Sequence, residues 1–160
     1  MKKDFDENML ELFNSLEHTD IRQYSPLVLA FLGDAVYEVY IRTLLVYQGN
    51  APVHKLHMRS TDFVKAKAQS DIIHRIIDNL SDEEREIVRR GRNAKSGTIP
   101  KNADVTEYKY ATGFESLIGY LYLKKDFARL AQILKEAVDI HGLRNRTETE
   151  EENHNDTGQS

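Results

Sequence analysis

Residues 26–48, PLVLAFLGDAVYEVYIRTLLVYQ, decide the fold. Ser25 precedes Pro26, a pairing that caps a helix and sets proline at its first position, where no backbone N–H is needed. Gly49 supplies a stop behind Gln48. Between these marks the stretch is apolar almost all round, the pattern of a central, buried helix. Its length raises a membrane span, but Gly33 and three charges (Asp34, Glu38 and Arg42) interrupt it and no second such stretch exists. A span is therefore not expected.

Outward from that helix the chain reads as helical throughout. On the N-terminal side, Met9, Leu10, Leu12, Phe13 and Leu16 give a short amphipathic helix near Glu7–Leu16. On the C-terminal side a start appears at Asn50-Ala51-Pro52, and periodicity runs through Asn79 with a break near Ser60. Ser81 and Glu84 form a capping box for a further helix ending near Arg92. Residues Asn93–Thr106 hold Gly97, Pro100 and Asn102 and no periodic apolar face, so they read as a long basic loop. Helical pattern resumes over Glu107–Lys124 and again over Asp126–His141, with Gly142 as its close. The remainder is acidic and polar, with too little apolar surface to fold. The expectation is an all-α domain over residues 1–142 and a disordered acidic tail over residues 143–160.

Composition narrows the function. The chain has no cysteine, which excludes a disulfide framework and a thiolate metal site and fits a reducing cytoplasm. MKKDFDENML follows its lysines with acids instead of an apolar run, unlike a signal peptide. The net charge of −4 argues at first against nucleic acid. Its distribution argues the other way. The tail sets two arginines against five acids, whereas Arg89–Lys109 sets six basic residues against two acids, a local surplus of +4. A phosphate-binding surface depends on such placement more than on the total.

Asp34, Glu38 and Arg42 are spaced by four and share a ridge of the first helix with Leu27, Phe31, Ile41 and Leu45. An i,i+4 ion pair accounts for Glu38 and Arg42. Asp34 is harder to explain, because a carboxylate among apolar groups costs several kcal/mol, roughly, unless something satisfies it. The later helix repeats the anomaly: Glu115 borders a stripe of Phe114, Leu117, Ile118 and Leu121. Each carboxylate could simply bend outward to solvent. If the two helices pack together, the pair can instead hold a hard cation such as Mg²⁺, which needs only one or two protein carboxylates. His54 and His57 are three apart but lack a third soft ligand, so no zinc site is expected.

Two runs carry a resemblance. Phe31-Leu32-Gly33-Asp34-Ala35-Val36 resembles the signature motif of the ribonuclease III family, and Gly113-Phe114-Glu115-Ser116-Leu117-Ile118-Gly119 resembles its second acidic motif. Their order, spacing and helical placement match the family's catalytic domain over about Tyr24 to Val138. Two of the family's four metal-site carboxylates are replaced, by Ala30 and Thr112. No double-stranded-RNA-binding domain is expected, and with Arg90-Gly91-Arg92-Asn93-Ala94-Lys95 the chain looks like the Mini-III branch.

That resemblance implies a ribonuclease III-like helical bundle that is homodimeric and cuts both strands of double-stranded RNA, leaving 5′-phosphate and 3′-hydroxyl ends. It implies maturation of the large-subunit ribosomal RNA precursor in the cytoplasm as part of ribosome biogenesis, with a ribosomal protein as a candidate for presenting the substrate. Asp34 and Glu115 are the expected catalytic and metal-binding residues, with Mg²⁺ the cofactor and Mn²⁺ a substitute. Phe31 is expected to insert into the partner across a dimer seam, with Gly33 permitting close helix approach. Thr112 either orients a water or bonds its own helix backbone, the commoner behaviour. Arg89, Arg90, Arg92, Asn93, Lys95, Lys101 and Lys109 form the expected RNA grip, since duplex RNA is recognised by shape and phosphates. Lys55, Arg59, Lys65 and Lys67 are either further phosphate contacts or plain solubilising charge. The competing readings are a catalytically weak or inactive duplex-RNA-binding dimer acting in ribosome assembly, suggested by Ala30 and Thr112, and a helical assembly factor whose carboxylates merely pair with Arg42 or similar groups.

Overall fold

The computed structural model describes residue 11 and residues 20–156, of which 143–156 are described by their backbone alone. The expected helix near Glu7–Leu16 lies outside the described residues, Glu11 excepted. Six α-helices follow: α1 Pro26–Gln48, α2 Val53–Val64, α3 Ala66–Ile76, α4 Asp82–Asn93, α5 Val105–Leu123 and α6 Phe127–Asp156. Short 3-10 turns at Ile21–Gln23 and Ile77–Asn79 precede α1 and follow α3, and there is no strand among the described residues.

Local chemistry sets most of these boundaries. Ser25 Oγ accepts from the Val28 N–H, Pro26 opens α1, and Gly49 (φ 150°) ends it. The Ser81–Glu84 capping box forms in both directions at the start of α4. The start of α5 departs from the sequence reading. Asp104 accepts from the N–H groups of Thr106 and Glu107 at 2.9 and 3.0 Å, so the helix begins at Val105 and the basic loop shortens to residues 94–104. The break expected near Ser60 falls instead at Lys65 (φ −61°, ψ 150°), because Ser60 Oγ donates back to the His57 carbonyl and stays within the helix. Gly142 does not close α6, whose backbone continues to Asp156.

The centre of the bundle is α5, not α1. Residues Ala111 to Gly113, Phe114 and Ser116 to Leu121 are all buried, as α5 packs most extensively on α1 and then on α4 and α3. The rest of the core includes Leu29, Tyr37, Ile41 and Leu45 of α1, Ile72, Ile73 and Ile76 of α3, and Ile133, Leu134 and Ala137 of α6. Tyr37 meets Phe114 edge-on at 5.1 Å, and its hydroxyl reaches the Phe63 carbonyl at 3.5 Å. Arg129 of α6 grips Glu84 of α4 through two bonds of 2.7 and 2.9 Å, and also donates to the Asn79 carbonyl. By contrast, α1 buries one side only. Val28, Phe31, Ala35, Val39, Arg42 and Val46 are exposed along its other side, at the three-to-four-residue spacing of a helix face.

Where α1 crosses α5 the two backbones touch. A Cβ placed on Gly33 would lie 1.8 Å from the Glu115 carbonyl oxygen, and one on Gly119 would lie 2.0 Å from that of Leu29. No side chain fits at either position, so glycine at both is a condition of the crossing. Ser116 Oγ adds a tie, 2.9 Å from the Pro26 carbonyl and 2.8 Å from that of Thr112.

Candidate active site and RNA-binding surface

The glycine crossing places the chemistry. Asp34 follows Gly33 directly, and the carbonyl against which Gly33 packs belongs to Glu115. The two sequence-predicted carboxylates are therefore brought together at one point on the surface. Burial pushes the Glu115 carboxyl up to about 8, with the neighbouring Asp34 charge adding to the rise and a hydrogen bond from the Gln69 side chain opposing it. Asp34 is more open to solvent; partial burial, and then the Glu38 charge, raise it above the ordinary aspartate value. The Asp34 charge bears on Glu115 and opposes its ionisation. The pair is poised with one negative charge present and a second resisted, an arrangement that a cation relieves.

The surroundings separate participants from bystanders. Glu38 is held by Arg42 at 2.8 Å, the expected i,i+4 pair. Thr112 Oγ1 donates to the Tyr108 carbonyl at 3.0 Å, the expected behaviour of a helix threonine. Ala30 and Thr112 are both buried, so the positions where the family carries further carboxylates are packed into the bundle. Among the described residues, no group of three or more His, Cys, Asp or Glu side chains is placed to hold a metal ion. The donors at hand are two carboxylates and the carboxamide of Gln69, an all-oxygen set suited to a hard divalent cation.

Gly33 and Phe31 part company. Gly33, expected at a dimer seam, is buried inside the chain against α5, and the close approach it permits is to Glu115 and Gly119. Phe31, two residues earlier, is 83% exposed.

The basic residues cluster unevenly. Arg89 is exposed but paired with Glu86 at 2.7 Å, and Arg90 is half-buried. Arg92 donates to the Tyr110 hydroxyl at 3.2 Å and to Asn93 Oδ1 at 3.3 Å, and its guanidinium lies 5.4 Å from the Tyr110 ring centre. The His74 ring also neighbours Tyr110, with ring centres 4.1 Å apart. Asn93, Lys95, Lys101 and Lys109 are exposed. Lys55, Arg59, Lys65 and Lys67 do not share one helix: the break at Lys65 divides them, Arg59 bonds Gln48 at 2.6 Å, and Lys65 pairs with Asp62 at 2.5 Å. Sequence reasoning missed Gln69, Tyr110 and His74. The alternation Tyr108-Lys109-Tyr110 was a legible sign of aromatic groups among cations; Gln69 left no sign in the sequence.

The Ribonuclease III domain family matches residues 27–126, which include both carboxylates and the basic loop. A Mini-ribonuclease 3 of Thermoanaerobacter is 54% identical over 131 residues, covering 82% of this chain and 92% of that protein. A Mini-ribonuclease 3 of Clostridium tetani is 46% identical, covering 84% and 89%. A crystal structure of a protein from Fusobacterium nucleatum matches with a TM-score of 0.69 at 38% identity, over 76% of this chain and 98% of that one. Family and fold agree: the chain belongs to the ribonuclease III family, on its Mini-ribonuclease 3 branch, and is an endoribonuclease.

Proposed function

We propose that this endoribonuclease works as a homodimer that cuts both strands of double-stranded RNA, each chain contributing one site built on Asp34 and Glu115. The observation that carries this reading is the like-charged pair at the Gly33–Gly119 crossing, with Glu115 pushed up to about 8 beside Asp34. Those two carboxylates would hold a divalent cation, Mg²⁺ or in its place Mn²⁺. When bound, such an ion supplies Lewis-acid polarisation of the phosphodiester and eases attack by water. The chain's own part is positional. The glycine crossing fixes the carboxylate spacing through backbone contact, and Glu38 is kept away by Arg42. Arg92, held against Tyr110, together with Lys95, Lys101 and Lys109, offers cations to the duplex backbone, with Arg89, Arg90 and Asn93 alongside.

The open face of α1 supports the dimer. Phe31, Val39 and Val46 are exposed large apolar groups on one helix face, a pattern that marks a contact surface. Kinship supports the remainder: 5′-phosphate products, a large-subunit ribosomal RNA precursor as substrate, a ribosomal protein that presents it, and action in the cytoplasm. No helix among the described residues is long and apolar enough to cross a membrane.

The test is cleavage of a long end-labelled RNA duplex in Mg²⁺ by the wild type, Asp34→Asn and Glu115→Gln. The expected result is cutting of both strands, abolished by EDTA and by either substitution. Intact duplex with RNA binding retained, in Mg²⁺ and in Mn²⁺, would replace the reading with that of a binding dimer, which the burial of Ala30 and Thr112 favours.

A further inference from the structure

The break between α2 and α3 is stapled by one side chain. In an unbroken helix the Val64 carbonyl would accept from the N–H four residues on. Here the α3 ladder begins one residue later, with the Lys65 carbonyl accepting from the Gln69 N–H at 3.2 Å. The carbonyl of Val64 is thereby freed, and Gln69 Nε2 donates to it at 2.8 Å. Because a carbonyl only accepts, this bond settles which end of the carboxamide is nitrogen. Across the packed α3–α5 interface the same side chain also acts on the Glu115 carboxyl, opposing through hydrogen bonding the rise that burial causes. Gln69 is only 1% exposed, and its Oε1 meets no hydrogen-bond partner among the described residues. A buried acceptor without a donor from the chain is uncommon and costly, so Oε1 is a ready acceptor for a water or ligand proton.

We infer that Gln69 is a positioning residue for the nuclease site: clamped to the Val64 carbonyl, it fixes the Glu115 carboxylate beside Asp34 and keeps Oε1 ready for a hydration water of the incoming cation. The inference rests on the reading of Asp34 and Glu115 as the cation-holding pair. Magnesium-like ions retain several waters, and those waters are donors. Partners that orient a metal-binding side chain commonly change affinity by about ten- to a hundredfold when removed. A carboxamide that only stapled the helix break would affect stability and leave cation binding untouched.

The experiment titrates Mn²⁺ alone into the full chain by calorimetry, for the wild type, Gln69→Met, Glu115→Gln and the double variant, with metal-free thermal unfolding alongside. Methionine keeps the volume and removes both polar atoms. If Gln69→Met fails to fold, Gln69→Asn replaces it, an amide one carbon too short to span Val64 and Glu115. The expected result is Mn²⁺ binding weakened about tenfold by the Gln69 substitution, with no further loss when Glu115→Gln is already present. Affinity within about twofold of wild type, or the same loss in both backgrounds, overturns the inference. If the wild type binds no Mn²⁺, the cation reading falls, and the metal-free unfolding cycle decides Gln69 alone. Coupled changes uphold the positioning of Glu115, and additive changes overturn it.

Discussion

Helices α1 and α5 have nearly the same sequence character, apolar around most of the circumference with two carboxylates each, yet they end in different surroundings. The α5 helix is enclosed by α1, α3, α4 and α6 and buries ten of its residues. The α1 helix buries six and leaves Phe31, Val39, Val46 and Tyr47 open. An all-round apolar pattern states that a helix will be covered on every side without stating by which molecule. One helix is covered by its own chain, and the proposed function assigns the open side of the other to a second copy.

The largest effects are expected at the two glycines where α1 and α5 cross. Gly33→Ala drives a methyl group onto the Glu115 backbone, which cannot yield as a flexible side chain would. It is expected to lower unfolding free energy by about 3 kcal/mol or more and to remove cleavage, as measured by thermal denaturation and duplex cutting. Gly119→Ala should do the same from the other helix. A Gly33→Ala protein with wild-type stability would mean that the crossing is looser than described.

The next effect concerns how α5 is enclosed. Arg129→Ala leaves Glu84 buried without its main partner and is expected to cost about 2 kcal/mol. The Arg129 guanidinium holds the Glu84 carboxyl below its ordinary value of 4.5. Its contribution is therefore present above that value and lost as pH falls through the lowered one. Acid titrations of the wild type and variant should converge at low pH and diverge at neutrality.

Glu115→Gln has the opposite sign. The folded protein holds a proton on Glu115 from the ordinary value of 4.5 up to about 8, so wild-type stability without metal falls as pH rises through that window. The glutamine variant should be flat there and more stable at pH 9, by on the order of 2 kcal/mol after solvent screening. Matching pH curves from denaturant unfolding in EDTA would refute it.

Phe31→Ser should change the single chain's stability least, by less than about 0.5 kcal/mol, because Phe31 is 83% exposed. Its effect should appear in sedimentation instead, as a shift from dimer to monomer over a dilution series. Sedimentation unchanged from the wild type would leave the open face of α1 without its assigned occupant.

What was legible in the sequence follows the range of the forces involved. Ser25, Pro26, Gly49, Ser81 and Glu84 act within one helical turn, and each marks the boundary it was read to mark. Asp34 and Glu115 stood out because isolated carboxylates on apolar helices need a cause. The break at Lys65 was misplaced because its staple is a side chain four residues further on. Gly33 announced a close approach without its partner, since a glycine reveals close approach and conceals what approaches; within the chain the partners are Glu115 and Gly119. Asp104 is a readable cap three residues before Glu107, where the apolar periodicity alone starts the helix.

One turn of α1 carries Phe31 on its outward side and Asp34 at the crossing. The two residues are phase-locked, since each added residue turns a helix by about 100°. A single insertion between them could preserve the outward position of Phe31 or the place of Asp34 beside Glu115, but not both. That short segment therefore has no neutral route to a change in length, and its register is inherited whole.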